Sequence, residues 1–250
     1  MRTSSLRRLA HTVGYGSGGG GATTTATSRK LIDLRSDTVT KPTPAMYEAM
    51  RQAPIGDDVF GEDTTVNQLE TKAAEMFGME SALFVPSGTM GNLLGILSHT
   101  KGQFGAEMIV GQQQHTYLYE QGGASSIGGV HSCVLPNQSN GTMKLSEIEK
   151  SIRADDPHYP RTMMVSIENT HNMCGGVPLP LEYVDSLGVL TKKHGIKLHV
   201  DGARICNAAV ALNKPVSRLC REIDSISVCL SKGLGAPVGS LLLGNEVCFS

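Results

Sequence analysis

Short apolar runs alternate with longer amphipathic stretches from about residue 65 onward. The runs are ALFV (82–85), EMIV (107–110), HSCVL (131–135), TMMVSIE (162–168), KLHVD (197–201), SISVC (225–229) and SLLL (240–243). Each is brief, suited to a pleated surface and bounded by turn formers, which predicts buried strands. The stretches between them carry the helical period. Val66, Leu69, Ala73, Met76 and Phe77 share one face, Thr65 and Gln68 form a capping box ahead of them, and Gly78 ends the run. Helices are also predicted in GNLLGILSHT after residue 90, in SEIEKSIR behind a box from Ser146 to Glu149, and in LEYVDSLGVLTKKHG closed by Gly195. Strands separated by helices predict an α/β domain whose mainly parallel sheet is flanked by helices. In such domains ligands gather at the carboxyl ends of the strands.

That rule directs attention to the residues just beyond each run. After ALFV comes PSGTMGN, where Ser87, Gly88 and Thr89 lead straight into a helix. Backbone N–H groups at such a start suit a phosphate. No GK[ST] comes after it, so the loop is not a nucleotide-binding P-loop. Asp201 closes KLHVD, a position where a carboxylate ordinarily serves as a helix cap or ion-pair partner. Lys232 comes after SISVC in SVCLSKGLGAPVGS, where a lysine is ordinarily a solvated charge. In chain order, an anion cradle, a strand-end carboxylate and a strand-end amine about thirty residues later meet the needs of pyridoxal 5′-phosphate. The cofactor wants a phosphate site, a carboxylate to keep its pyridine nitrogen protonated, and an amine for a Schiff base.

Composition narrows the setting. Apolar content of 40% and charged content of 18% describe a globular chain long enough for a substantial core. Residues 1–30 hold Arg2, Arg7, Arg8, Arg29 and Lys30 and no acidic residue, in a Ser/Thr background. That segment is expected to be a disordered tail, built as a mitochondrial transit peptide is, with a cytosolic tail as the alternative. Without those five cations, 17 basic residues face 23 acidic ones, a net of about −6, which argues against nucleic acid. The apolar runs are too short to span a bilayer. Six cysteines show neither CxxC pairing nor metal spacing, so reduced thiols and no metal site are expected. His99, His131, His194 and His199 lie in no motif that demands chemistry, and Met163 and Met164 read as core filler.

Seven segments in order resemble the low-specificity L-threonine aldolases: LRSDTVTKPT (34–43), GDDVFGED (56–63), PSGTMGN (86–92), HTYLYEQGG (115–123), ENTHN (168–172), HVDGARICNA (199–208) and SVCLSKGLGAPVGS (227–240). The likeness runs from about residue 31 to the end. It implies the aspartate-aminotransferase fold, pyridoxal phosphate, and retro-aldol cleavage of threonine or allo-threonine to glycine and acetaldehyde. By this resemblance Lys232 carries the cofactor, Asp201 pairs with the pyridine N–H, Gly88 and Thr89 take the phosphate, and His115 stacks on the ring. Arg204 and Ser36 bind the substrate carboxylate. The acceptor of the β-hydroxyl proton is left between His115 and His158, a histidine-held water serving equally. Glu120 orients its neighbours and His171 lines the pocket.

The resemblance also implies homo-oligomers, tetramers or dimers, and a smaller C-terminal domain beyond Ser250. Residues 31–250 therefore read as the large domain, truncated at its C-terminal side, and weak or absent activity is expected of this chain alone. Two alternatives stay open: another fold-type-I enzyme, a β-eliminating lyase or transaminase, and a catalytically silent shortened form.

Overall fold

The computed structural model describes residues 32–245, so the arginine-rich segment 1–30 and Cys248 lie outside the described residues. Met1–Leu34 and Arg35–Ser250 are separate units, and every described helix and strand belongs to the second.

Nine α-helices and seven strands are described: α1 (Pro44–Gln52), α2 (Thr64–Phe77), β1 (Ser81–Val85), α3 (Gly88–Thr100), β2 (Ala106–Gly111), α4 (His115–Leu118), α5 (Gly123–Ser126), β3 (His131–Leu135), α6 (Leu145–Ser151), β4 (Arg161–Glu168), α7 (Leu181–Lys193), β5 (Lys197–Asp201), α8 (Ile205–Leu212), α9 (Val216–Cys220), β6 (Ser225–Cys229) and β7 (Ser240–Gly244). Every predicted strand forms. They make one sheet in the order β1-β7-β6-β5-β4-β2-β3, parallel except that β7 runs against both of its neighbours. Because only β7 is reversed, strands β1 to β6 all end on one side. Ser240, the first residue of β7, lies level with Val85 and Cys229, the last residues of β1 and β6.

Alternation along the strands separates two faces. Val165, Ile167, Leu198, Val200, Ile226 and Val228 join α2, α7, α8 and α9 in the larger core. Met108, Val110 and Met164 join Ile96 of α3 and Ala124 of α5 in the smaller one. Met164 is wholly buried, as its place in the pattern predicts.

Two helix starts differ from the sequence pattern. The box expected at Thr65 does not form, because Asp63 caps α2 by accepting from the amides of both Thr65 and Val66, 3.0 and 3.1 Å away. A carboxylate in front of a helix answers two orphan donors at once and favours the helix dipole. Ser146 lies inside α6, which begins at Leu145 without a side-chain cap. Leu145 and Ile148 both pack into the larger core, and that burial sets the start. Gly78 and Gly195 take positive φ at the ends of α2 and α7, as expected.

Candidate active site

The carboxyl ends of the strands surround a cavity of about 310 Å³, lined among others by Ser87, Gly88, Thr89, His115, Asp201 and Lys232. Each arrives there for a local reason. Ser87 caps α3 through a 3.2 Å bond from the Met90 amide. The amides of Gly88 and Thr89, which open the helix, have no place in its ladder of hydrogen bonds and remain available to an anion. Gly88 is required for packing, since a Cβ there would lie 2.7 Å from Cys229 Sγ.

Asp201, the last residue of β5, is buried. Its Oδ1 accepts from the Ala203 amide at 3.1 Å and its Oδ2 from Asn92 Nδ2 at 3.0 Å. Lys232 sits in the turn that returns β6 to β7, and its carbonyl accepts from Thr40 Oγ1 at 2.7 Å and from the Gly235 amide at 2.9 Å. Among the described residues its amine has no hydrogen-bond or ion-pair partner.

His115 opens α4 beyond the end of β2. Its Nδ1 lies 3.0 Å from Glu120 Oε1 and 4.0 Å from Asp201 Oδ2. The Glu120 carboxylate, helped by Asp201, holds the imidazole pKa above its ordinary value against the opposing effect of burial. Glu120 is itself buried and accepts a second bond from Asn92 Nδ2 at 2.8 Å.

Arg204 and Ser36 stand apart from that lining. Arg204 lies beside it, on a smaller cavity that shares Ala203 and Cys229 with the first. Its guanidinium makes a two-pronged ion pair with Asp37, at 2.8 and 2.7 Å, which holds the Asp37 carboxyl below its usual range. Ser36 is exposed and turns its hydroxyl to the Thr38 amide and hydroxyl, capping the short turn that carries Asp37.

Two expected positions are corrected. His158 is exposed, pairs with Asp156 at 2.8 Å, and precedes β4, so within this chain it lies at the amino end of the strands, opposite the cavity. A residue just before a parallel strand cannot share the site at that strand's far end. His171 does not line the cavity either: it is fully buried, its backbone pairs with Val177, and neither ring nitrogen has a partner among the described residues. Burial pulls its pKa down.

Several polar residues of this region were not singled out by sequence. Asn92 and Glu168 are buried and touch the groups above, and His199 is linked through Asn92. Glu168 ends β4 in register with Asp201 and accepts from the amides of His115 and Asn172 at 2.8 and 2.9 Å. Burial, then the charge of Asp201, raises its pKa to about 6. The available signal was alternation: in KLHVD and SISVC the positions opposite the apolar ones are His199, Asp201, Ser225 and Ser227, polar residues inside strands covered on both faces.

Known proteins resemble this chain in sequence and in fold. Residues 33–248 match the family model of the beta-eliminating lyases. A probable low-specificity L-threonine aldolase 2 of Arabidopsis thaliana is 52% identical over 224 residues, covering 89% of this chain and 63% of that protein. The low specificity L-threonine aldolase of Escherichia coli K12 is 49% identical over 216 residues, covering 86% and 63%. The chain thus spans less than two thirds of the length of these relatives. Among solved structures, a putative L-allo-threonine aldolase from Listeria monocytogenes superposes with a TM-score of 0.67 at 25% identity, covering 84% of this chain and 58% of that one. A threonine aldolase from Leishmania major superposes with a TM-score of 0.73 at 20% identity, covering 85% and 62%, a likeness of fold alone.

Proposed function

The chain belongs to the beta-eliminating lyase family, and from that premise we propose that it carries the cofactor site of a pyridoxal-phosphate-dependent aldolase cleaving L-threonine and L-allo-threonine to glycine and acetaldehyde. The observation that carries the reading is that Lys232 and Asp201 line one cavity with the amino terminus of α3. Its volume falls at the lower end of the roughly 300–1,000 Å³ usual for small-molecule sites. The donors also match the cofactor's chemistry: amides outside the helix ladder and a helix dipole for a phosphate, a carboxylate for a pyridinium N–H, and an amine that has no partner among the described residues for an aldehyde.

When bound, pyridoxal phosphate supplies an electron-withdrawing ring able to accept the electron pair of the substrate Cα–Cβ bond. The chain's residues do the rest. Gly88 and Thr89 hold the phosphate, and Asp201, fixed by Ala203 and Asn92, keeps a proton on the ring nitrogen. His115 has its Nδ1 committed to Glu120, which leaves Nε2 to take a proton from the substrate β-hydroxyl and return one to the product. A pKa above the ordinary imidazole value favours the return step. With His158 ahead of the amino end of β4, His115 is the histidine to carry this role within the chain. Arg204 offers a planar fork to an amino-acid carboxylate, with Asp37 holding it until substrate arrives.

Borohydride reduction after incubation with pyridoxal phosphate, followed by peptide mass spectrometry, should fix the cofactor on the peptide containing Lys232. Lys232→Ala should lose both the adduct and acetaldehyde formation from threonine. Undiminished acetaldehyde from Lys232→Ala would sink the reading, and 2-oxobutanoate with ammonia in place of glycine with acetaldehyde would move the chain to a β-eliminating activity.

A further inference from the structure

A continuous line of buried hydrogen bonds leads away from Asp201. Asn92 Nδ2 lies 3.0 Å from Asp201 Oδ2 and 2.8 Å from Glu120 Oε1, and Asn92 Oδ1 lies 3.1 Å from His199 Nε2. His199 Nδ1 then lies 2.7 Å from Ser225 Oγ, which is 2.6 Å from His99 Nε2. Asn92, His199 and Ser225 are at most 1% exposed and His99 is 6% exposed, so water does not complete these bonds.

Donor and acceptor roles can be assigned link by link from the carboxylate end. Carboxylate oxygens of Asp201 and Glu120 accept from the Asn92 amide nitrogen, so its oxygen faces His199, and Nε2 of His199 must carry the hydrogen. Burial drives His199 down to about 3, so the ring is neutral and its Nδ1 accepts. The Ser225 hydroxyl therefore donates to Nδ1 and accepts from His99, itself lowered to about 4, mainly by burial. Every hydrogen in the line points toward Asp201. Such a row polarises each successive donor and presents the carboxylate with a hydrogen rather than a lone pair.

The surroundings are built for this line. A Cβ on Gly95 would lie 2.6 Å from Cε1 and 2.8 Å from Nδ1 of His199, so the helix admits the ring only because glycine stands there. Asn92 and His99 are seven residues apart on α3 and bracket the β5 and β6 members of the line, which ties the helix that opens at the cavity to the strand that ends in Asp201.

We propose that His199 and Asn92, backed by Ser225 and His99, are positioning residues that fix the Asp201 carboxylate for the cofactor ring. The proposal rests on the reading of Asp201 as the partner of the pyridine N–H. It is tested first without cofactor: NMR of the chain carrying isotopically labelled histidine should find His199 neutral with its hydrogen on Nε2, and a hydrogen on Nδ1 would overturn the line. Cofactor affinity is tested next. His199→Phe keeps a flat ring but neither polar end, and should weaken pyridoxal phosphate binding by about tenfold, the order of one lost hydrogen bond to a charge network. His199→Gln restores one donor and one acceptor and should return affinity to within about threefold of the original. If both variants fold, as circular dichroism would report, and His199→Phe binds as tightly as the unaltered chain, the line is only packing and the proposal fails. Should His199→Phe not fold, the NMR result and the Ser225→Ala affinity, expected about threefold weaker, decide the matter. Asp201→Ala separates the two levels: affinity unchanged by that substitution removes the underlying reading, and the proposal with it.

Discussion

Glu168 shows how one side chain can serve the site and cost stability. Its two oxygens hold the amides of His115 and Asn172, so it anchors the loops after β2 and β4. It does so beside Asp201 in a buried position, and the folded-state pKa of about 6 stands above the ordinary 4.5. A group raised on folding stabilises the native state fully below its unfolded pKa, and that contribution is lost as pH rises through the folded value. The window is therefore from about 4.5 to about 6, and the amplitude on the order of 2 kcal/mol. Urea unfolding across this range should show Glu168→Gln losing less stability than the unaltered chain as pH rises. A parallel pH dependence in the two proteins would mean that Glu168 titrates normally. Nothing in ENTHN announces this, because the penalty comes first from burial in the fold and then from Asp201, a neighbour across the sheet.

Helix α3 is the element on which the site depends. Gly88, Gly91 and Gly95 let its backbone approach β5 and β6, where Cβ atoms would meet Cys229 Sγ, Ser227 Oγ and the His199 ring at 2.7, 2.5 and 2.6 Å. Gly95→Ala should therefore destabilise by about 1–3 kcal/mol through overpacking against a ring clamped at both nitrogens. Gly123 in α5 meets nothing within 4 Å, and alanine there should be neutral or stabilising by up to about 1 kcal/mol. Thermal unfolding of the two variants in parallel checks the contrast, and equal shifts would refute it. The strands and α3 were legible because apolar period and turn formers are local. The cradle, Asp201 and Lys232 were legible because each ends such an element. Helix caps were less so, since DTT offers several acceptors and only geometry makes Asp63 prevail. The polar faces of β5 and β6 carry a visible alternation, but which face meets a glycine-lined helix is a tertiary fact.

At the scale of the molecule, the reversal of β7 and the place of the first described turn were beyond the sequence pattern. Strand order depends on pairings far apart in the chain, and SLLL reads the same in either direction. Reversal brings the loop bearing Lys232 back along the carboxyl edge of the sheet, and two distant links then fasten the segment around Asp37 onto that edge. Asp37 pairs with Arg204, and Thr40 donates to the Lys232 carbonyl. Since Val39 and Thr40 are exposed and the turn buries no residue, these polar links rather than a core hold the segment in place. Asp37→Asn breaks the two-pronged pair while leaving the sheet untouched. Limited proteolysis should then cut residues 35–43 several-fold faster, whereas global stability should move by less than about 1 kcal/mol, as for a partly exposed ion pair. Equal cutting rates would show that the segment is held without the Asp37 pair. A large loss of global stability would show that the turn is part of the cooperative fold, and that the cavity edge is rigid rather than separable from the sheet behind it.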